Sequence, residues 1–409
     1  MTEAAPPQLT LDWLHIKKFR NVEDTRLEFG KGHNVILGIN GTGKTQLLEL
    51  LGALCSGNLR RLVRDERADV ELEFAVSVGG RSGTAFISVS RTHTRQDGRT
   101  RVDVHVQAGS SPTERPGEAV RNLSEKDPWP ALASFAFPFQ HAYFRPRLPN
   151  WVDELDVPVR SFARFDEALG FFELLTSRSD AAPPALTLEI PRDGGGRMWT
   201  PSHDGGAAVL VQNIPLPIDD FPVEDGPVSS FGELAGYTAA VAWMRVRSSE
   251  TSSAATLYEF RNPEFRLARG GSIVSHDDLS FGEKRLLAFL YYAAVADGSN
   301  RGVRTLRLPV VADELTNGLH RAWVDACFDR MEGRQTFLAT QSPLLLDRIW
   351  VDSPDDAKTT FVVCKRVGTA DDVRLSWSQL DDEKAQAVFA SAERGILHMS
   401  QILHFEGIW

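Results

Sequence analysis

Cysteine is scarce in this sequence. Its 409 residues include three cysteines, Cys55, Cys327 and Cys364, which lie far apart and follow no metal-ligand spacing. The sequence therefore supports neither a disulfide framework nor a zinc site, and we expect a reducing, cytoplasmic environment.

Long apolar runs are also missing. Residues 1–13 lack the basic and apolar blocks of a signal peptide, and no segment approaches the roughly 20 apolar residues of a membrane span. The longest apolar-rich helix candidate, Leu286–Ala296, is too short to cross a bilayer. We expect a buried helix there and no membrane partner.

Positive charge is in deficit. There are 45 Lys and Arg against 55 Asp and Glu, a formal net charge of -10, which excludes a protein that coats nucleic acid with its whole surface. Any DNA contact must be local. The basic candidates are the arginines of the predicted hairpin tip 91–101 together with Lys17, Lys18, Arg60, Arg61, Arg64 and Arg67. Such charge runs are more often solvated loops.

The length predicts one large core with an added lobe. Residues 1–150 show strand, glycine turn and helix, followed by period-2 alternation typical of an antiparallel sheet. Residues 151–270 are rich in Pro and Gly, with helical pieces predicted at Phe162–Thr176 and Phe231–Val246 and no heptads that would form a coiled-coil arm. Residues 271–350 alternate helix and strand, and 351–409 form a tail of strand and helix.

The strongest motif is G-x-x-x-x-G-K-T at Gly38–Thr45, between a predicted strand and a predicted helix. Glycines turn backbone N–H groups toward phosphates, Lys44 reaches the β and γ oxygens, and the Thr45 hydroxyl holds Mg²⁺. We therefore expect ATP and Mg²⁺ as ligands. The predicted nucleotide contacts in this loop are Asn40, Gly41, Thr42, Gly43, Lys44 and Thr45.

A second motif is the apolar strand Leu308–Ala312, which ends in two carboxylates, Asp313 and Glu314. Asp313 is suited to the metal's water shell and Glu314 to polarising an attacking water. On its own, Asp-Glu after a strand is equally consistent with the start of a loop.

A third motif, L-S-x-G-E at Leu279–Glu283, precedes the apolar helix. Ser280 and the Gly282 amide would face an anion at the positive end of that helix, with Glu283 beside them. A plain capping box, with Ser280 as the N-cap and Glu283 three residues later, is the alternative interpretation.

The order of these motifs resembles the ABC-type ATPase heads of the SMC, RecF and OLD proteins, including the "AAA family" ATPases of prokaryotic antiphage defence. The resemblance extends to the I-x-x-F-R opening at Ile16–Arg20, to D-E-x-x-x-x-L-H at Asp313–His320, and to the closing residues Gln401–Trp409. It implies an α/β fold: an ABC-type P-loop ATPase head with a mixed central sheet, an antiparallel β subdomain and an inserted helical lobe.

The resemblance also implies a composite site. Two heads would meet face to face, so that Ser280 and Gly282 of one complete the γ-phosphate contacts of Lys44 and Thr45 in the other, in a homodimer or a larger homo-oligomer. Arg20 of the opening motif joins the predicted nucleotide contacts. For the metal-facing glutamine, Gln140 is the candidate and Arg145 the second choice, although Gln140 is equally well an ordinary polar residue at a strand end.

Gln341 departs from the family pattern. It stands in T-Q-S-P where the family usually has T-H-S-P with a switch histidine at the γ-phosphate. A glutamine side chain donates a hydrogen bond but cannot take up and pass on a proton, so we expect slow hydrolysis. The predicted catalytic residues are Glu314, Gln341 and Lys44.

Two functions remain open. The first is a sensor or scaffold subunit of an antiphage defence complex. Few residues follow Gln341, too few for a TOPRIM nuclease domain, so a nuclease or toxin effector would be a separate protein. The alternative is a RecF-like, DNA-clamping ATPase of DNA repair or chromosome maintenance.

Overall fold

The computed structural model describes residues 8–56, 70–78, 81–93, 100–109, 186–191, 196–199, 209–211, 221–223, 226–244, 246–250, 255–260, 264–274, 278–296, 307–368 and 373–409. Predictions that concern other residues, including Gln140, Arg145 and the helix at Phe162–Thr176, lie outside the described part of the chain.

Among the described residues, both ends of the chain contain strands and helices, and those between 186 and 274 are mostly in strands. The strands are β1 (Leu9–Phe19), β2 (Val22–Glu28), β3 (His33–Leu37), β4 (Val70–Val78), β5 (Arg81–His93), β6 (Thr100–Gly109), β7 (Leu186–Pro191), β8 (Gly196–Trp199), β9 (Val209–Val211), β10 (Phe221–Val223), β11 (Ala239–Met244), β12 (Val246–Glu250), β13 (Ala255–Phe260), β14 (Glu264–Arg269), β15 (Ser272–Val274), β16 (Val310–Asp313), β17 (Thr336–Ala339), β18 (Phe361–Gly368) and β19 (Val373–Gln379). The helices are α1 (Lys44–Ser56), α2 (Gly226–Ala235), α3 (Phe281–Ala296), α4 (Arg321–Met331), α5 (Pro343–Leu346), α6 (Pro354–Thr360), α7 (Asp382–Glu393) and α8 (Met399–Phe405).

The central sheet has five strands in the order β16-β17-β3-β18-β19. The first three pairings are parallel and β18 pairs with β19 antiparallel, so the predicted mixed sheet is confirmed. Because β3, β16 and β17 run in the same direction, the loops that follow them emerge at one edge. In open α/β sheets that edge is where ligands bind.

Both faces of the central sheet are buried. Ile36 packs with Leu47 and Leu51 of α1, whereas Val35 and Leu37 belong to a second cluster that includes Phe289 of α3. Side chains that alternate along a strand point to opposite faces, which explains the short apolar run. Helices therefore cover the sheet on both sides.

The predicted antiparallel subdomain is confirmed as a sheet in the order β2-β1-β4-β5-β6. Along β4, Leu72 and Phe74 are fully buried while Glu71 and Glu73 are half-buried, as expected for a sheet with one wet face. The buried side chains of β4 share a core with Leu51 of α1, so α1 lies between this sheet and the central sheet.

The inserted lobe differs in part from its prediction. Its described residues include one helix, α2, and strands arranged in the orders β12-β13-β7-β8-β9 and β10-β11-β14-β15. The helix predicted over Phe231–Val246 is wrong beyond Ala235. Gly236 takes a φ of +73°, which ends α2, and residues 239–244 form β11, which pairs with β14.

No helix within the described ranges is both long and apolar enough to cross a membrane. The three cysteines are all free and buried.

Candidate nucleotide site

The loop Gly38–Thr45 joins β3 to α1, and its glycines are needed for backbone reasons. Gly38, Gly41 and Gly43 have φ values of +146°, +82° and +86°, which L side chains rarely adopt. A Cβ at Gly38 would lie 2.5 Å from the Cys364 carbonyl oxygen, and one at Gly43 would lie 2.6 Å from Leu375 Cδ1. Gly41, by contrast, has nothing within 4 Å and faces open space. The side of the loop that faces β18 and β19 is therefore closely packed, whereas the side at Gly41 is open.

Lys44 folds into this loop. Its side-chain ammonium donates to the carbonyl oxygens of Gly38 (2.7 Å) and Ile39 (3.2 Å), and the residue is buried. Thr42 Oγ1 also donates to the Ile39 carbonyl, at 2.8 Å. A buried cation within a ring of backbone groups at a helix N-terminus is the arrangement that binds phosphate oxygens.

Thr45 and Asp313 come from distant parts of the chain and meet directly. Thr45 Oγ1, in the first turn of α1, donates to Asp313 Oδ2 at the end of β16, at 2.7 Å. No cluster of three His, Cys, Asp or Glu side chains suited to a metal is found in the described residues. Mg²⁺ needs no such cluster, because it usually takes one or two protein oxygens, waters and substrate phosphates. The hydroxyl and carboxylate pair therefore fits Mg²⁺.

Glu314 is held in an unusual backbone conformation next to this pair. Its φ is +46°, in the left-handed region that non-glycine residues seldom adopt. Its N–H donates to the Ala339 carbonyl at 2.8 Å, and its own carbonyl accepts from the Arg285 guanidinium. Backbone strain of this kind persists where surrounding contacts impose it, often at functional sites.

The surroundings of the Glu314 carboxyl shift its pKa. Burial raises its pKa, and the neighbouring Asp313 carboxylate adds to the rise. The Gln341 N–H, which donates to Glu314 Oε2 at 3.4 Å, acts in the opposite direction without reversing the shift. A carboxylate with a raised pKa is a better general base than an ordinary glutamate.

Gln341 connects Glu314 to the glycine loop. Its side-chain amide donates to Asn40 Oδ1 at 3.1 Å and to the Gly38 carbonyl at 3.4 Å, while its backbone reaches Glu314. The loops after β3, β16 and β17 therefore meet at one edge of the central sheet, and they bring together Lys44, Thr45, Asp313, Glu314 and Gln341.

The L-S-x-G-E segment forms the start of α3. Ser280 Oγ accepts from the Glu283 N–H (3.3 Å) and Glu283 Oε2 accepts from the Ser280 N–H (2.9 Å), so the capping box is present. Ser280 is nevertheless exposed at the surface, and Phe281 beside it is 57% exposed. The capping contact uses a lone pair of the Ser280 oxygen, so its hydrogen is left to donate to an anion. Capping and anion binding are thus compatible.

Residues 14–126 match a family model described as an AAA domain. Curated relatives include the DNA replication and repair protein RecF of Desulfitobacterium hafniense, 38% identical over 58 residues, 14% of this chain and 16% of that protein. RecF of Yersinia enterocolitica is 34% identical over 101 residues, 23% of this chain and 27% of that protein. The matches thus span 16% and 27% of the length of these relatives. The range of the family model, 14–126, contains the glycine loop.

Two solved structures align along most of the chain. One is an SMC head bound to the C-terminal winged-helix domain of ScpA, with a TM-score of 0.41, 12% identity and coverage of 92% of this chain and 99% of that one. The other is the recombination mediator protein RecF-ATPrS of the RecFOR pathway, with a TM-score of 0.40, 11% identity and coverage of 93% of this chain and 100% of that one.

The part of the chain that contains the glycine loop is thus similar to an AAA domain, and short segments of the chain are similar to RecF.

Arg20 lies close to α1. It sits in the turn between β1 and β2 with a φ of +52°, its guanidinium forms a 3.0 Å ion pair with Glu49 of α1, and it lies over the Phe19 ring. A nucleotide contact by Arg20 stays a prediction. The same holds for Glu283, whose carboxylate is engaged within its own subunit, and Gln140 lies outside the described residues.

The basic residues that are candidates for DNA contact are described only in part. β5 and β6 pair antiparallel, as predicted for a hairpin, with Arg91 opposite Val102. Their tip, residues 94–99, and the basic residues of 60–67 lie outside the described ranges. Lys17 forms a 3.7 Å ion pair with Glu71. DNA contact therefore stays a prediction.

Sequence reasoning missed several residues around the site. Arg285 reaches the Glu314 carbonyl, Trp377 Nε1 donates to the Thr42 carbonyl at 3.4 Å, and Tyr237 and Arg269 bind Glu283. Arg285 lies just after the L-S-x-G-E motif, so its position in the sequence could have identified it as a site residue. The others are distant in sequence and follow no motif.

Proposed function

We propose that this protein binds ATP with Mg²⁺ between two copies of its head and hydrolyses it to ADP and phosphate. The observation that carries the proposal is the meeting of Lys44, Thr45, Asp313, Glu314 and Gln341 at one sheet edge. In this arrangement, Lys44 and the loop amides bind the β and γ phosphates. Bound Mg²⁺ would be held by Thr45 and Asp313 and would neutralise charge on the transferred phosphoryl group.

The carboxylate of Glu314 is the general base of the proposed reaction. It accepts a proton from the water that attacks the γ phosphorus, while the bond to the ADP oxygen breaks. Gln341 positions this carboxylate through its N–H and faces the phosphates with its amide, but it cannot relay a proton. We therefore propose slow turnover, in which ATP acts largely as a ligand that holds two heads together.

Completion of the site by a second copy rests on the exposed Ser280. Its free hydroxyl hydrogen and the positive end of α3 suit a γ-phosphate held by the neighbouring subunit. The test uses Glu314→Gln, which keeps the hydrogen-bonding shape but removes the base. With ATP and Mg²⁺ it should accumulate as a dimer in light scattering. Lys44→Ala should not bind ATP and, on its own, should not dimerise. A Glu314→Gln protein that stays monomeric with bound ATP would contradict the proposal.

At the level of biology, we propose a cytoplasmic sensor or scaffold subunit of a defence complex whose nuclease or toxin effector is a separate protein. This rests on the resemblance of the motifs alone. The RecF matches favour the second candidate, a DNA-clamping ATPase, but they cover about a quarter or less of those proteins. Co-purification of an effector would support the first, and ATP turnover stimulated by DNA in the isolated protein would support the second.

A further inference from the structure

A polar cluster joins the inserted lobe to the start of α3. Tyr237 lies just after α2, and its hydroxyl donates to Glu283 Oε1 at 3.0 Å. Arg269, at the end of β14, donates to the same oxygen at 3.0 Å, and its guanidinium lies over the Tyr237 ring, 4.2 Å from the centroid. Two side chains of the lobe thus converge on one carboxylate oxygen.

The other oxygen of Glu283 serves the helix cap. Glu283 Oε2 accepts from the Ser280 N–H at 2.9 Å, and the Glu283 N–H donates to Ser280 Oγ at 3.3 Å. The carboxylate therefore divides its hydrogen bonds between the lobe and Ser280. Any displacement of Glu283 changes the position of the Ser280 hydroxyl.

These bonds are of the stronger, charge-assisted kind. Burial acts to raise the pKa of Glu283, but the hydrogen bonds from Ser280, Tyr237 and Arg269 outweigh it and the pKa is lowered. Burial, together with Glu283, raises the pKa of Tyr237 to about 12, so its hydroxyl stays a donor at neutral pH. Hydrogen bonds to an ionised acceptor are roughly twice as strong as neutral ones.

A second contact ties the lobe to the same cap. Trp323 of α4 donates through its indole N–H to the Leu234 carbonyl in α2, at 3.1 Å. The edge of the same ring, Cζ3, lies 3.3 Å from where a Cβ of Gly282 would be. The lobe therefore contacts the L-S-x-G-E segment directly at Glu283 and indirectly, through Trp323, at Gly282.

We propose that Tyr237 and Arg269 are positioning residues that hold Ser280 in place for the nucleotide of the opposite subunit. The inference rests on the proposed composite site. It makes the inserted lobe a determinant of how firmly ATP joins two heads, because the lobe fixes the orientation of Glu283 and, through it, of Ser280. Neither residue contacts the glycine loop, so ATP binding within the same subunit does not depend on them.

The first experiment measures ATP-dependent dimerisation in the Glu314→Gln background. Tyr237→Phe keeps the buried ring and removes the hydroxyl, and Arg269→Gln changes a half-exposed residue. Each should weaken dimerisation on the order of tenfold, the size expected for the loss of a hydrogen bond to a charged group, with ATP binding to the monomer unchanged. Arg269→Lys should restore part of the loss. Tyr258→Phe, at another buried lobe tyrosine, is the matched control and should have no effect.

The second experiment tests action across the interface. The Tyr237→Phe variant, with Glu314 intact, is mixed with an excess of the Lys44→Ala variant. Its ATP turnover per Tyr237→Phe subunit is measured. The reference is the ATP turnover of the wild type mixed with the same excess of Lys44→Ala. In these mixed dimers the intact glycine loop faces an intact Ser280 segment, so the two rates should be equal. In the absence of Lys44→Ala they should differ roughly tenfold.

The outcomes separate the inference from the proposed function. If the Glu314→Gln protein does not dimerise with ATP, the proposed function fails. If it does, but Tyr237→Phe behaves like Tyr258→Phe, the positioning role is refuted. A Tyr237→Phe defect that persists in the mixed dimers also refutes it, because the residue would then act within its own subunit.

Discussion

Replacement of Gly282 by alanine tests the packing of the L-S-x-G-E segment directly. A Cβ at this position would lie 2.3 Å from the Gly318 carbonyl oxygen and 3.3 Å from Trp323 Cζ3. The nearest atom belongs to the backbone, so it cannot move aside like the end of a flexible side chain. Gly282 has no positive φ, and the cost of the substitution is therefore steric rather than conformational.

Two opposing effects set the size of the change. Gly282 lies in the first turn of α3, where alanine favours helix by up to about 1 kcal/mol. Overpacking a closely packed site costs about 1 to 3 kcal/mol. The approach of 2.3 Å places this site at the upper end of that range, so the free energy of unfolding should fall by about 1 to 2 kcal/mol net. Helix propensity alone would give the opposite sign.

Denaturant unfolding measures this difference, with Gly32→Ala as the matched control. Gly32 also lacks a positive φ, and a Cβ there would meet nothing within 4 Å. We expect Gly282→Ala to unfold at lower urea concentration than Gly32→Ala and the wild type. In the Glu314→Gln background, Gly282→Ala should also bind ATP as a monomer but fail to dimerise. Stability equal to or above that of the control would show that the Gly282 and Gly318 backbones are not in contact.

Three further predictions concern hydrolysis. Gln341→His should speed steady-state ATP turnover if a proton-carrying group at this position is what the site lacks, and an unchanged rate would remove that explanation. Burial raises the pKa of Glu314, and turnover needs its ionised form. The acid limb of the pH profile of kcat should therefore lie at higher pH than for an ordinary glutamate. An acid limb at the ordinary value would argue against Glu314 as the base. Arg285→Lys should lower kcat while ATP affinity is kept, since the guanidinium holds the Glu314 carbonyl and does not reach the glycine loop; weaker ATP binding measured by titration would contradict this.

The sequence was sufficient for the parts of the site that local chemistry specifies. The structure agrees with the prediction, within a residue or two, for the glycine loop, the strand before it and the start of α1. Positive φ values restrict certain positions of the loop to glycine, so the motif is visible in the sequence. The motif also marks the start of α1, because the helix begins where the loop ends. The Asp313 and Glu314 pair was also found at the end of its strand. Parallel strands then bring these separate loops to one edge, which the motif order already implied.

The inserted lobe was harder to predict, for a physical reason. Residues 231–246 contain enough apolar residues at helical spacing to suggest one helix, but Gly236 ends it and β11 is fixed by pairing with β14. Strand pairing of this kind depends on a partner elsewhere in the chain. The contact between Tyr237 and Glu283 joins residues 46 positions apart and likewise leaves no local pattern.

The same helix, α3, touches both kinds of site in the proposed dimer. Its N-cap residue, Ser280, would face the opposite subunit, whereas Arg285, within the helix, binds the carbonyl of Glu314 in its own subunit. Glu283, between them, is bound by the lobe through Tyr237 and Arg269. Tyr237 and Arg269 therefore act, through Glu283 and Ser280, on the nucleotide of the opposite subunit, whereas Arg285 acts on the base of its own subunit. Because different side chains carry the two roles, mixed dimers can separate them.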